Sequence, residues 1–426
     1  MRGGGQSTRS QGAAASHVGL VRGHNEDRLA LDLSLGLALV ADGMGGHAAG
    51  EVAAEMVAEG LEEALRDAWE AWAEEAAGPP ERETLSAWIE AAVSKVNRAV
   101  YERARREPET RGMGTTLALV WAVGGYAVIA HVGDSRVYLL RDGQAHQLTD
   151  DHSMLAEQVR QGVISAEEAS RSPLGNVLSR SVGLTPRVRV DLLVIDLAPA
   201  DRFLVCSDGL SGTVSPEAWP ELLSGDTPAQ IVDGLIGHAL AGGGRDNISA
   251  VVFDPEVEHH LPAVRLPIEA QMEVVRQVPL FRHLSYKEIV QLLAITHVRE
   301  VDEGGEILRE GDAGQDALVL LDGHATVWKR GQQLARVGPG SLLGEMALVD
   351  AAPRSATVRA AAPVTLLVLD RERLMILLQA LPELAVKVLW GLSQALSLRL
   401  RRTSTEAADA LADGSGALPF LSPKRG

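Results

Sequence analysis

Through residues 1–254, apolar runs stop abruptly on glycine, aspartate or asparagine. "RLALDL" and "LGLALVAD" read as strands. Two long helix-period stretches follow, Ala48 to about Ala77 and Thr84 to about Glu107, parted by "GPPERE" with its paired prolines. "TTLALVWAV" and "YAVIAHVGD" flank Gly124-Gly125 and predict two buried strands in a tight hairpin. From Gly112 to Gly133 there is no Asp, Glu, Lys or Arg, long enough on paper to span a bilayer. The glycine pair in the middle argues for strands instead. Asp142-Gly143 marks a second hairpin in "RVYLLRDGQAHQLT", and His152 to Gly183 reads as polar and helical. Strand patterns "VRVDLLVIDL", "RFLVCSD" and "NISAVVFD" surround one more helix, "PAQIVDGLIGHALAG". Strands in succession with helices grouped together predict an α+β unit of antiparallel sheets covered by helices.

The texture then changes. "DPEVEHHLPAVRLP" contains the expected linker, 255–267, followed by a helical patch from Ile268 to about His297. Short strands then alternate with closely spaced turns ("DEGGE", "EGDAGQD", "LDGH", "KRGQQ", "VGPGS"), as in a small β-roll. A helix is expected from Pro382 to about Arg402 and a flexible tail over 403–426. Residues 1–16, "MRGGGQSTRSQGAAAS", have a disordered composition. The predicted domains are therefore 17–254 and 268–402.

Composition narrows the function classes. A chain of 426 residues, 46% hydrophobic and 23% charged, is long enough for separate cores. Its net charge of -17 argues against nucleic acid or an anionic membrane as partner. One cysteine, Cys206 in "RFLVCSDG", allows neither an internal disulfide nor a cysteine metal cluster and reads as a small buried hydrophobe. The N-terminus lacks a signal-peptide core, so a cytoplasmic location is expected.

The chemistry is concentrated at strand ends. In "LALVADGMGGHAAGE" an apolar run ends on Asp42 before a glycine loop, which alone reads as a phosphate cradle, a turn or a metal site. Asp134, Asp208, Asp246 and the pair Glu26-Asp27 also adjoin strand patterns, beside Gly, Ser or Asn. Converging carboxylates raise one another's pKa unless cations offset them. Oxygen ligands without cysteine or histidine clusters indicate hard ions, Mg²⁺ or Mn²⁺, able to activate water for attack on phosphorus.

The order of "GLVRGHNEDR", "VADGMGGHAAGE", "MGTTL", "AHVGDSR", "LTDDHS", "LSRSVG", "FLVCSDGLS" and "GGRDNIS" resembles that of the metal-dependent protein phosphatases, the protein phosphatase 2C family, from about His17 to Asp254. The resemblance implies a four-layer α-β-β-α sandwich hydrolysing phosphoserine and phosphothreonine. By the same resemblance Asp42 would bridge two metals, and the Gly43 carbonyl would bind one. Asp208 and Asp246 would hold the other, and Glu26 and Asp27 would sit at or just behind them. Asp134 would belong to a third, looser site, and Arg22 would bind phosphate. Some members place a histidine acid where this chain has Met44; His47 nearby is expected to be structural or solvent-facing. His152 to Gly183 matches the family's substrate-selecting flap.

"GSLLGEMALVDAAPRSATVRA", Gly340 to Ala360, could open a short helix at Gly344, Glu345, Met346 and Ala347 whose N–H groups meet an anion, with Arg354 opposite. The order G-E-x-A-L…P-R-S-A-T resembles the phosphate cassette of cyclic-nucleotide-binding domains over about Ile268 to Arg402. It implies that Glu345 holds the ribose hydroxyl and that Arg354 and Ser355 hold the cyclic phosphate. The ligand that the resemblance implies is cAMP or cGMP, with Ser355 leaning to cAMP. The expected partners are phosphorylated proteins, including serine/threonine kinases or their targets, and the nucleotide. Two functions remain open: a phosphatase gated by nucleotide, and one whose C-terminal domain is a nucleotide-insensitive targeting module. A degenerate phosphatase scaffold serving as a silent nucleotide receptor is the third.

Overall fold

Eleven strands build the N-terminal unit of this computed structural model, which describes residues 10–45, 49–75, 78, 80–160, 163–165, 168, 177–257, 268–348 and 353–412. They are β1 (Gln11–His17), β2 (Asp27–Asp32), β3 (Leu37–Met44), β4 (Gly114–Thr115), β5 (Leu117–Val123), β6 (Tyr126–Val132), β7 (Arg136–Arg141), β8 (Gln144–Gln147), β9 (Asp191–Asp196), β10 (Arg202–Cys206) and β11 (Ile248–Asp254). One sheet runs β1-β11-β10-β7-β8. The other runs β2-β3-β5-β6-β9, with β4 on β3, and every pairing is antiparallel.

The central strands of both sheets are buried on two faces, which is why they read as unbroken apolar runs. Along β3, Leu37, Leu39 and Ala41 pack under the long helices α1 (Ala49–Glu75) and α2 (Arg82–Arg106), while Ala38 and Val40 are also fully buried on the opposite side. Along β10, Leu204 and Cys206 face the helix Pro228–Ala241, and Phe203 and Val205 point the other way. The result is the expected helix–sheet–sheet–helix order. Cys206 is fully buried, which pushes its thiol up to about 12, so it is inert.

The chain divides into units 1–262 and 263–426, a boundary inside the expected linker, most of which lies outside the described residues. In the second unit β12 (His297–Val301), β13 (Glu306–Leu308), β14 (Asp316–Asp322), β15 (Ala325–Lys329), β16 (Gln332–Val337), β17 (Leu342–Leu343), β18 (Thr357–Ala360) and β19 (Val364–Asp370) form two antiparallel sheets, β12-β19-β14-β17 and β13-β18-β15-β16. Leu318, Leu320, Val358, Leu366 and Val368 fill the space between them, the core of a β-roll. The helix Pro382–Ala412 lies so close to Pro279–Phe281 that a Cβ on Gly391 would stand 2.4 Å from the Leu280 carbonyl oxygen.

Three expectations need correction. Residues 11–16 are not disordered; they pair with β11 from Gln11↔Asp254 to His17↔Ile248. Their small side chains are what this strand needs. A Cβ on Gly12 would meet the Val252 carbonyl oxygen at 3.0 Å and Leu31 at 3.1 Å, and Ala13 and Ala15 pack on the helix-covered core. The last helix continues past Arg402 to Ala412, because "TSTEAADALA" is rich in strong helix formers. The flap is helical over Met154–Arg160 (α3), but its described return limb is extended: Leu178 bridges Ser153 and Val182 bridges Thr115.

A buried ion pair ties the sheets' edges. Arg141 Nε and Nη2 donate to Asp201 at 2.7 and 2.6 Å, with side chains 5% and 0% exposed, and Nη2 also donates to the Asp196 carbonyl at 2.9 Å. Arg141→Ala leaves the Asp201 carboxylate buried without its cation. We expect a loss of about 3–5 kcal/mol in denaturant unfolding; a loss under 1 kcal/mol would show that the pair is not structural.

Candidate active site

The two sheets deliver their acids to one end of the sandwich. Asp42 and Asp27 are register partners on β3 and β2. Asp134 follows β6, Asp208 begins a short helix directly after β10, and Asp246 precedes β11. Glu26, Asp42, Asp134, Asp208 and Asp246 line one cavity of about 440 Å³, with Arg22, His24, Gly43, Met44 and Thr116. Asp27 does not line it. It lies behind the floor, 2% exposed, with Oδ2 accepting from the Ser207 hydroxyl at 2.9 Å.

Gly43 is required by space alone. A Cβ there would lie 2.2 Å from the Gly50 carbonyl oxygen and 2.7 Å from that of Glu26. Its N–H donates to Glu26 O at 3.2 Å, locking the first strand-end loop to the second. The backbone of Asp42 is equally fixed. Its N–H donates to Thr116 Oγ1 at 2.9 Å, and its carbonyl accepts from Thr115 Oγ1 and Thr116 N, each at 2.9 Å.

The charges are crowded. Burial raises Asp42 well above the carboxylate range, and Asp27, Asp208, Asp134 and Asp246 raise it further. Burial likewise lifts Asp27 to about 6, against hydrogen bonds from Ser249 and Ser207, and lifts Asp134 to about 7 with help from Asp208. Burial and then Asp246 raise Asp208, and burial raises Glu26. Arg22 Nη2 donates to Asp246 Oδ2 at 2.8 Å, the contact that most raises its own pKa.

Among the described residues no three acids, histidines or cysteines already converge as a finished metal cage. The cavity nevertheless fits divalent cations chemically. It offers carboxylate oxygens, and Asp208 Oδ1 is buried with no hydrogen-bond donor. Asp27 Oδ1, behind the floor, is equally without a donor.

In the second unit Gly344 adopts φ +69, and Glu345–Leu348 forms one 3-10 turn, shorter than a helix with a free N-terminus. Met346 is exposed and Ala347 is buried. Arg354 does not reach into open space. Its Nη1 donates to the carbonyls of Asp316 at 2.8 Å and Gly344 at 3.2 Å, and its Nη2 is paired with the Asp316 carboxylate. The side chain is 7% exposed, and Ser355 follows it just before β18.

The sequence model for protein phosphatase 2C matches residues 12–233, just over half of the chain. The chain belongs to the protein phosphatase 2C family. It is a metal-dependent protein serine/threonine phosphatase that also carries a C-terminal cyclic nucleotide-binding domain, whose model matches residues 298–380. It is 38% identical over 240 residues to the serine/threonine phosphatase stp of Listeria innocua, covering 55% of this chain and 92% of that protein. It is 41% identical over 242 residues to the serine/threonine protein phosphatase PstP of Mycobacterium tuberculosis, covering 57% of this chain and 44% of that one. The crystal structure of the M. tuberculosis phosphatase PstP/Ppp superposes with a TM-score of 0.52 at 39% identity, over 58% of this chain and 99% of that chain. That of Stp1 from Staphylococcus aureus gives 0.52 at 30% identity, over 60% and 99%. Among the described residues no helix of this phosphatase is long and apolar enough to cross a membrane.

The structure brings together all of the predicted acids of the phosphatase, with Asp27 set one layer back. His47 lies outside the described residues. Sequence reasoning assigned no role to the polar residues that hold the acids. Asn247 is the main one: Oδ1 accepts from Glu26 N at 2.8 Å, and Nδ2 donates to the carbonyls of Val18 and His24, each at 2.9 Å. Thr115, Thr116 and Ser207 are the others, and their signal was a small hydroxyl inside or at the end of an apolar run.

The raised carboxyls fix the sign of the pH dependence. Unfolded carboxyls titrate near about 4, so between there and about 7 the metal-free native state holds more protons than the unfolded chain. Their contribution to stability is complete below the unfolded value and is lost as pH rises through 6 and 7. Thermal unfolding in chelator should show the melting temperature falling from pH 5 to pH 8, and Mn²⁺ should reverse the trend. Asp42→Asn should abolish turnover yet raise the metal-free melting temperature by roughly 2–4 °C. A variant less stable than the parent in chelator would refute the charge-crowding account.

Proposed function

We propose that the phosphatase uses Mn²⁺ or Mg²⁺ ions, two with a third site at Asp134, to hydrolyse phosphoserine and phosphothreonine in cytoplasmic proteins, serine/threonine kinases or their targets among them. Asp42 and the Gly43 carbonyl would hold one ion, and Asp42, Asp208 and Asp246 the second. Glu26, and Asp27 from behind the floor, would orient the ligands. Bound cations would supply an activated water for in-line attack and offset charge on the phosphoryl oxygens. The observation that carries this reading is five carboxyl groups lining one small cavity, with a buried Asp208 oxygen lacking any donor.

The chain's own residues do the rest. Arg22, half exposed, is placed to exchange Asp246 for two phosphate oxygens, which its planar fork fits. Thr115, Thr116 and Asn247 keep the Asp42 and Glu26 backbones from recoiling as charge accumulates. Met44 has no proton to give the departing alkoxide, so that proton would come from water held at the cations.

The C-terminal domain would bind a cyclic nucleotide, cAMP by preference, through the Gly344–Ala347 turn, Glu345, Arg354 and Ser355, and would thereby modulate catalysis. A cyclic phosphate reaching Arg354 must displace Asp316, so bound and free states differ in that ion pair. One observation favours a second reading, a nucleotide-insensitive targeting module: the Arg354 fork is already occupied by protein groups.

Hydrolysis of a phosphothreonine peptide with Mn²⁺, with and without cAMP and cGMP, separates these readings. We expect Asp208→Ala to lower turnover by roughly 100-fold or more, and nucleotide to change the parent rate but not that of Arg354→Ala. Turnover indifferent to both nucleotides would leave the phosphatase and remove the gating. Full activity in Asp208→Ala would overturn the metal site.

A further inference from the structure

A second groove, of about 600 Å³, lies on the same unit and is lined by Arg98, Tyr101, Glu102, Arg105, Arg106, Pro186 and Arg187. The α2 residues recur at helical spacing, so one face of the helix's last turns forms one wall and the 186–187 loop forms the other. Four guanidiniums face one carboxylate in a chain of net charge -17. Glu102 engages Arg98 at 3.0 Å and Arg106 at 3.3 Å, yet both arginine side chains stay more than three-quarters exposed. Among the described residues Arg105 and Arg187 have no carboxylate partner; Arg105 lies over the Tyr101 ring, 5.8 Å from its centroid. Arginines concentrated in a groove and left unneutralised have the chemistry of an anion-recognition surface.

The groove is connected to the acid cavity through buried contacts. Asn97, one residue before Arg98 and 1% exposed, accepts from Gly183 N at 2.8 Å and donates to Thr185 O at 3.1 Å. On the other side of this loop Val182 pairs with Thr115, whose hydroxyl donates to the Asp42 carbonyl. From Val182 to Arg187 the chain can span at most about 17 Å.

We propose that this groove binds an anionic stretch of the phosphoprotein substrate, acidic side chains or a second phosphate, flanking the residue being dephosphorylated. The proposal rests on the phosphatase reading. Its arginines touch neither the metal ligands nor the reacting phosphate. They act on substrate capture, so they should govern KM and leave the chemical step alone. Attraction of this kind weakens with salt, since the screening length is about 8 Å at 0.15 M and about 3 Å at 1 M.

The test compares three phosphothreonine peptides, with neutral, glutamate-rich or second-phosphoserine flanks on either side, and p-nitrophenyl phosphate. The enzymes are the full chain, Arg105→Glu/Arg187→Glu and Arg105→Lys/Arg187→Lys. We expect KM for one or both anionic peptides to be about tenfold below that of the neutral peptide. The glutamate variant should lose that advantage, the lysine variant should keep most of it, and kcat and p-nitrophenyl phosphate turnover should not move. Which anionic peptide is favoured tells carboxylate from phosphate recognition. Equal KM for all peptides, or an advantage that survives in the glutamate variant, overturns the groove. Failure to hydrolyse p-nitrophenyl phosphate at all overturns the phosphatase reading instead. In that case fluorescence anisotropy of the same labelled peptides with the parent and glutamate variant still decides the groove: parent-only binding supports it, and equal binding refutes it.

Discussion

Burial of several carboxyl groups, with their mutual repulsion added to it, is the constraint around which the N-terminal unit is built. Asp42, Asp134, Asp208 and Asp246 come from strand ends and loops of two different sheets, and no local segment could hold them together against the cost of their burial and repulsion. The double-buried sandwich supplies the opposing stability, since Phe203, Val205, Val251 and Phe253 are sealed at 0% exposure. Each buried apolar side chain contributes about 1.5–3 kcal/mol, so a core of this size tolerates several unfavourable groups at its rim. The cost of bringing the acids close is thus met by the fold as a whole, not by any local segment.

Holding the acids in place falls to uncharged groups. Thr115, Thr116, Ser207 and Asn247 donate to or accept from the backbone and side chains of Asp42, Glu26 and Asp27. A charged tether would add to or cancel the field that the cavity depends on; a hydroxyl or amide fixes geometry with little change in net charge. Gly43 extends the same logic to the backbone, where two strand-end loops approach more closely than any Cβ permits.

Much of this was legible because the chemistry sits where periodicity breaks. Asp42, Asp134 and Asp208 each end an apolar run, so the strand reading and the site reading came from the same residues. The first strand was missed because "QGAAASH" has the small-residue composition of a disordered segment. Its reason for being a strand is close packing against Val252 and Leu31, more than two hundred residues away in one case. Asn247 was missed for a similar cause: its three partners, Glu26, Val18 and His24, adjoin it only after β1 and β11 pair. The Arg98–Arg187 groove is likewise a product of tertiary folding, since nothing along the chain links the end of α2 to the loop after the flap.

The two arginines read from sequence as anion binders share one arrangement and differ in what it costs to undo. Arg22 rests on Asp246 with side chains 50% and 27% exposed, and an exposed pair of this kind is worth about 0–1 kcal/mol. Arg354 rests on Asp316 at 7% exposure and also donates to two carbonyls. Freeing it leaves three acceptors on half-buried residues, the Asp316 and Gly344 carbonyls and the Asp316 carboxylate, to be satisfied anew. An anion can therefore take Arg22 with little preparation. Any anion that engages the Arg354 guanidinium has to replace those contacts, whereas one engaging Arg22 replaces only Asp246.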